Sequence, residues 1–185
     1  MAHPNPISFA EAERLSEIFD SENREEWQKT SKILQFLSFT GDESVADVGA
    51  GTGYFSNIFS SQLKQGHVFA IDPEPNMVSH MAKRFAETAN VSVLQSEHLD
   101  PCIPENTDVV FLANVYRFIQ TRDTFLQNMY QQTKADARFV FVDFKGESAR
   151  VSLPTAIDEI KAAGFQIERF DIESCPDHYI LAFQK

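Results

Sequence analysis

The 185-residue chain reads as one doubly wound α/β domain. Its sheet should be mostly parallel and seven-stranded, with a C-terminal antiparallel hairpin and helices on both faces. Three observations predict this. Short continuous apolar runs alternate with stretches of helical periodicity from Val45 onward, the pattern of strands buried on both faces. Alternating glycines stand where the first strand meets its helix. The last two apolar runs lie too close together for a crossover helix, so they should pair as a hairpin.

Taken in order, Met1 to Pro6 carries two prolines and is expected to lack fixed structure. Leu15, Ile18 and Phe19 recur at helical spacing. Glu22 to Trp27 is highly charged and reads as a loop, and Ile33, Phe36 and Leu37 mark a second helix that ends before Gly41. Strands are expected at Val45–Val48, His67–Ile71, Val91–Leu94, Val109–Leu112, Phe139–Val142, Phe165–Phe170 and Tyr179–Phe183. Between them, helices carry the stripes Phe55/Ile58/Phe59/Leu63, Met77/Val78/Met81/Phe85, Phe125/Leu126/Met129 and Ile157/Ile160. The last stops at Gly164, a residue suited to the left-handed cap.

Composition narrows the function. A hydrophobic fraction of 43% with 23% charged residues is that of a globular protein, and the 17 phenylalanines read as core filling. The formal net charge of −11, with no cluster of Lys and Arg, argues against a nucleic-acid partner or an anionic membrane surface. No apolar run approaches the ~20 residues that span a bilayer, and Met1 to Ala10 lacks the features of a signal peptide. A cytoplasmic location is the expectation. Cys102 and Cys175 match no metal or redox spacing, and His98, Asp100 and Cys102 make a poor ligand set, so no metal is expected.

The most informative stretch is Val45-Ala46-Asp47-Val48-Gly49-Ala50-Gly51-Thr52-Gly53-Tyr54-Phe55. Glycines at 49, 51 and 53 let the backbone turn sharply and let a ligand approach the amides from Gly49 through Ala50 to Gly53. One strand later Ala70-Ile71-Asp72-Pro73 puts a carboxylate at what should be an exposed strand end, where such a group accepts the ribose hydroxyls of an adenosine. The dinucleotide fingerprint needs Gly or Ala where this chain has the bulky Tyr54, and Asp47 would repel a pyrophosphate. Asp47 suits a sulfonium ligand with an ammonium group.

The arrangement resembles the class I S-adenosylmethionine-dependent methyltransferase family, whose first motif is acid-x-Gly-x-Gly-x-Gly, over the chain from about Val45 to its end. The resemblance implies a Rossmann-like fold, S-adenosylmethionine as cofactor, and methyl transfer to a small-molecule acceptor. Asp47, Gly49, Ala50, Gly51, Gly53, Asp72 and Pro73 would line the cofactor site. Ser96-Glu97-His98-Leu99-Asp100-Pro101 matches the family's acidic loop near the adenine, with Glu97 or Asp100 bonding its amine. Asp108 to Tyr116 resembles the fourth strand and the loop facing the methyl group, which adds Asn114. Phe141-Val142-Asp143-Phe144-Lys145 resembles the fifth strand and its end.

No catalytic residue is nominated firmly. Tyr116 and Asp143 are the candidates, with Lys145 beside them. Many small bacterial relatives read Tyr-His-His where this chain has Tyr116-Arg117-Phe118, so no role of those histidines transfers here. Residues 1–40 are expected to form a helical lid, with Trp27 as its large apolar contact, over a methyltransferase domain at 41–185. The pocket could be completed by a partner subunit in a homodimer. The alternatives are an NAD-dependent oxidoreductase and a non-catalytic S-adenosylmethionine-binding protein.

Overall fold

A computed structural model describes residues 11–21 and 23–185; the opening Met1–Pro6 lies outside them. Seven strands form one sheet: β1 (Ser44–Val48), β2 (His67–Asp72), β3 (Val91–Gln95), β4 (Val109–Ala113), β5 (Arg138–Phe144), β6 (Gln166–Asp171) and β7 (His178–Gln184). Their order is β3-β2-β1-β4-β5-β7-β6. The first five are parallel, and β7 lies antiparallel to both β5 and β6, as the short final connection requires. The chain reverses its direction across the sheet between β1 and β4. Ligands of open α/β sheets sit at this switch, outside the carboxyl ends of the strands.

Alternation along the strands sorts the core into two layers. Ala46, Val110, Leu112, Phe139 and Phe141 face helices α6 (Arg122–Gln132) and α7 (Leu153–Ala162). Val45, Val109, Phe111, Val140 and Val142 face α3 (Thr30–Leu37) and α4 (Tyr54–Gln62). Helix α5 (Pro75–Arg84) covers β2 and β3 through Met81, with Phe85 just past its end. Among the described residues most phenylalanines fill the core, with Phe118 and Phe170 exposed: Phe59 packs edge-on against Phe111, with ring centroids 5.1 Å apart, and against Phe39 at 5.2 Å. Among the described residues no helix is long and apolar enough to cross a membrane.

The N-terminal segment corrects one expectation. Helix α1 (Ala12–Phe19) is followed not by an open loop but by a short helix, α2 (Arg24–Gln28). Its sequence Arg-Glu-Glu-Trp-Gln has no apolar stripe to reveal it. Glu25 and Glu26 favour its first turn by meeting the positive end of the helix dipole. Tertiary contacts do the rest: the buried Arg24 donates from Nε to Gln28 Oε1 at 2.5 Å, one turn on. Lys29 ends the helix in the left-handed conformation (φ 55°).

The layer under β1 and β4 depends on Phe59, which is 0% exposed. Replacing it with alanine leaves a cavity between two rings and should lower stability by about 3–5 kcal/mol. Denaturant unfolding of Phe59→Ala measures this. A loss below 1 kcal/mol would mean that the layer collapses around the gap.

Candidate active site

Strand β1 ends at Val48, and the chain turns through three residues of positive φ: Gly49 (72°), Gly51 (60°) and Gly53 (85°). Space forces the same choice at two of them. A Cβ on Gly49 would stand 2.4 Å from Val115 Cγ2, and one on Gly53 would stand 2.6 Å from the Phe85 ring. Strand β2 holds the turn. The amides of Gly49 and Ala50 both donate to the Ile71 carbonyl, at 2.8 and 3.0 Å, and the Gly51 amide donates to Asp72 Oδ2 at 2.8 Å. Gly53 N closes on Ala50 O at 2.9 Å. The expectation that these amides serve a ligand is therefore corrected. The loop offers close approach and the carbonyls of Gly49 and Gly51, which accept no hydrogen bond among the described residues.

Asp72 is not at an exposed strand end: it is 5% exposed, and burial raises its carboxyl above the ordinary value. Its Oδ1 accepts from the Glu74 amide at 2.9 Å, so each oxygen is anchored by one amide and retains a second lone pair. Pro73 beside it is half-buried. Asp47, 3% exposed, accepts from Ser56 Oγ at 2.6 Å. Burial pushes its carboxyl up to about 6, against the pull of the Ser56 hydroxyl and of Arg24.

Arg24 was not legible as a site residue. It is buried at 6% exposure, with its guanidinium 3.9 Å from the Tyr54 ring centre, and it donates to the Phe19 carbonyl at 2.5 Å. Desolvation pulls its pKa down to about 10, with Tyr54, Asp20 and Asp47 opposing. The N-terminal segment thus covers the loop. Phe19 lies 3.8 Å from where a Cβ on Gly51 would be, and Asp20 pairs with Arg84 at 2.7 Å while Arg84 also donates to the Thr52 carbonyl. Trp27 rests against His178, ring centroids 5.8 Å apart. A surface cavity of about 300 Å³ lies elsewhere, beside Arg122 and Glu159.

Past β4, Asn114 takes a left-handed φ of 61° and is half-buried. Its Oδ1 lies 3.0 Å from Nε2 of His178, the first residue of β7. His178 is 0% exposed and sits 4.2 Å, centroid to centroid, from the Phe144 ring. Burial holds its pKa down to about 4, so the ring is neutral at pH 7. This histidine comes from β7, not from the turn after β4. Being far along the chain, it gave no local signal.

The two catalytic candidates fare differently. Tyr116 is corrected: it is 1% exposed in the core, and its hydroxyl donates to Glu159 Oε2 at 2.6 Å beside the Arg122–Glu159 pair. Burial and that carboxylate raise its pKa, so it is neither free nor acidic. Asp143, at the end of β5, accepts from the amides of Arg117 at 3.1 Å and Phe144 at 2.8 Å, and burial pushes it up to about 6. Lys145 Nζ donates to the carbonyls of Ile172 and Cys175. In the loop after β3, Asp100 is occupied by the Cys102 amide and Gln132, whereas the Glu97 side chain is exposed. Glu97 is the available one of the two.

Buried polar atoms without partners gather on this side of the molecule. They include Asp20 Oδ1, Gln28 Nε2 and Thr52 Oγ1 around the covered loop, and Arg117 Nε, His178 Nδ1 and the Tyr179 hydroxyl near the ends of β4 and β5. Such groups are scarce in native interiors. Asp47, the glycine loop, Asp72, Glu97 and Asn114 all stand at the carboxyl ends of adjacent parallel strands.

Comparison with known proteins agrees with this geometry. Residues 45–136, about half the chain, match the sequence model of the methyltransferase-domain family. A putative methyltransferase, 235L of Invertebrate iridescent virus 6, is 26% identical over 76 residues, which are 40% of this chain and 29% of that protein, so the match spans under a third of the relative. A S-adenosylmethionine-dependent methyltransferase from Aquifex aeolicus superposes with a TM-score of 0.83 at 23% identity, over 96% of this chain and 98% of that one. DhpI in complex with S-adenosylhomocysteine gives 0.75 at 18% identity, over 94% and 92%. With strand order, acid–glycine loop and family match in accord, the chain belongs to the class I S-adenosylmethionine-dependent methyltransferase family.

Proposed function

We propose that this protein binds S-adenosylmethionine at the glycine loop and transfers its methyl group to a small-molecule acceptor. One observation carries the reading: a buried carboxylate, Asp47, and a buried guanidinium, Arg24, face the same turn. An α-amino acid end presents an ammonium and a carboxylate, the complement of that pair. The Gly49 and Gly51 carbonyls add acceptors for the ammonium. In this reading Asp72 offers one lone pair on each oxygen to vicinal hydroxyls, and the exposed Glu97 accepts from an adenine amine. The solved S-adenosylhomocysteine complex of DhpI, a structural neighbour, supports the same ligand class.

When bound, the cofactor supplies a sulfonium-activated methyl group. The chain's work is alignment and exclusion of water, since in-line displacement needs the nucleophile at about 3 Å and a dry site. Phe19 and Trp27 supply the apolar cover. Neutral His178 is held by Asn114 with its other nitrogen unpartnered, so that nitrogen can accept a hydrogen bond from the acceptor's hydroxyl or amine and orient it. An NAD-dependent oxidoreductase is disfavoured by Tyr54 and Asp47 and by antiparallel β7 between β5 and β6, where the dinucleotide fold has a parallel sixth strand. A non-catalytic binder is separated by turnover on a panel of acceptors.

Calorimetry should show S-adenosylmethionine and S-adenosylhomocysteine binding at roughly micromolar strength, about −8 kcal/mol, with NAD silent. Asp72→Ala removes the ribose acceptors and an anchor of the loop, and charge-assisted bonds of this kind contribute about 1.5–3 kcal/mol each, so affinity should fall at least tenfold. Binding of NAD alone would overturn the reading.

The Asp47 carboxyl, at about 6 in the free protein, should be pulled down by a bound ammonium. At pH 6 binding should then release about half a proton, falling to none by pH 8, and affinity should weaken as pH drops below 6. Calorimetry in two buffers of different ionisation enthalpy counts the protons. Asp47→Asn should abolish the release, and an unchanged release would place the ammonium elsewhere.

The helices that cover the loop must open to admit a ligand, which makes residues 1–40 a lid in this reading. Trp27 is the single tryptophan, so its fluorescence reports this segment alone. Cofactor should change its emission or its access to acrylamide. Constancy of both through a titration that saturates by calorimetry would make the segment static packing.

A further inference from the structure

Two arginines beside the ends of β4 and β5 are not used by the cofactor reading. Arg117 lies in the 3-10 turn Tyr116–Phe118 that follows β4, and Arg150 lies just past the 3-10 turn Gly146–Ser148 that follows β5. Their guanidiniums share one ring: Arg117 Cζ is 5.3 Å and Arg150 Cζ 4.7 Å from the centre of Phe118, whose side chain is half in solvent. Arg117 also stacks on Phe144 at 4.6 Å. Burial lowers the pKa of Arg117, Asp143 opposes that shift, and the nearby Arg150 adds a smaller push downward.

Counter-charge is thin. The nearest carboxylate to Arg117 is Asp143, whose Oδ1 is 4.0 Å from Nε. Its oxygens already accept two backbone amides, and burial keeps it reluctant to ionise. Arg117 Nε is buried and donates to nothing. Among the described residues Arg150 makes no ion pair. One carboxylate, Asp143, thus faces two guanidiniums, which leaves the pair with a net positive charge in a chain whose own net charge is −11.

We infer that Arg117 and Arg150 form an anion clamp, and that the methyl acceptor carries a carboxylate or phosphate which this clamp holds. The inference rests on the methyltransferase reading for the word acceptor, and on the arginines alone for the anion. The turns after β4 and β5 flank Asn114 and His178, so an acceptor gripped there by its anionic end presents its other end toward the switch of the sheet. Phe118 and Phe144 are the apolar surfaces between which a ring or short chain would lie.

The test titrates the full chain with benzoate, phenyl phosphate and the neutral benzamide and benzyl alcohol, with and without saturating S-adenosylhomocysteine. The anions should bind at least tenfold more tightly than their neutral counterparts, and the better of the two identifies carboxylate or phosphate as the preferred group. Arg150→Ala, at an exposed position, and Arg117→Gln, which keeps the amide bonded to Asp143, should each weaken the anion at least tenfold. Both should leave S-adenosylhomocysteine affinity unchanged. Equal binding of anions and neutrals, binding of neither, or anion binding indifferent to both substitutions overturns the clamp. Silence toward S-adenosylhomocysteine overturns the cofactor reading instead, and the anion arms then judge the clamp by themselves.

Discussion

Everything at the ligand edge depends on how β2 grips the turn after β1. Three consecutive amides of that turn are taken by two neighbouring residues of β2, the Ile71 carbonyl and the Asp72 carboxylate. Left-handed glycines resist nothing by themselves, since they lose the most conformational entropy on ordering. The grip makes the turn a fixed feature rather than a flexible one. Its carbonyls are thereby aimed outward, and Asp47 is set beneath it with Ser56 as a buried partner. One residue, Asp72, thus serves as brace and as prospective ligand contact.

The electrostatic plan follows from burial more than from pairing. Asp47 and Asp143 are held near 6, and His178 near 4, chiefly by desolvation. In each the charged form is disfavoured by the dry edge of the sheet, and each would gain from a ligand that supplies the missing partner. The structural residues show the opposite habit: Arg122, Glu159 and Tyr116 satisfy one another completely, which locks α7 against the turn after β4. That contrast separates site from scaffold more clearly than residue type does.

Much of this was legible in the sequence because the signals are local. Strand–helix alternation from Val45 onward, the closeness of the last two strands and the spaced glycines identify sheet, hairpin and loop from contiguous residues. Helix α2 escaped because its five residues are charged and its stability lies in contacts made by Arg24 with Phe19, Gln28 and Tyr54. Arg24 and His178 escaped as site residues for a related reason. Each is brought to the edge by topology, the first from ahead of β1 and the second by the antiparallel return of β7. Tyr116 misled because its position after β4 is right, while its side chain turns into the core toward Glu159. The amides of Gly49 and Ala50 misled likewise, since sequence shows where donors are but not which of them β2 has already claimed.

The cover over the glycine loop has a kinetic side. Asp20 and Arg84 join the cover to α5 by an ion pair only a quarter or so exposed, and Arg84 simultaneously grips the Thr52 carbonyl. A ligand that enters beneath this clasp must leave by the same door. Loosening the clasp would then quicken arrival and departure together while leaving the equilibrium between them nearly where it was. Residence time and affinity would be set by different residues, the first by Asp20 and Arg84 and the second by Asp47 and Asp72, so natural variation could tune turnover through the door without touching the seat.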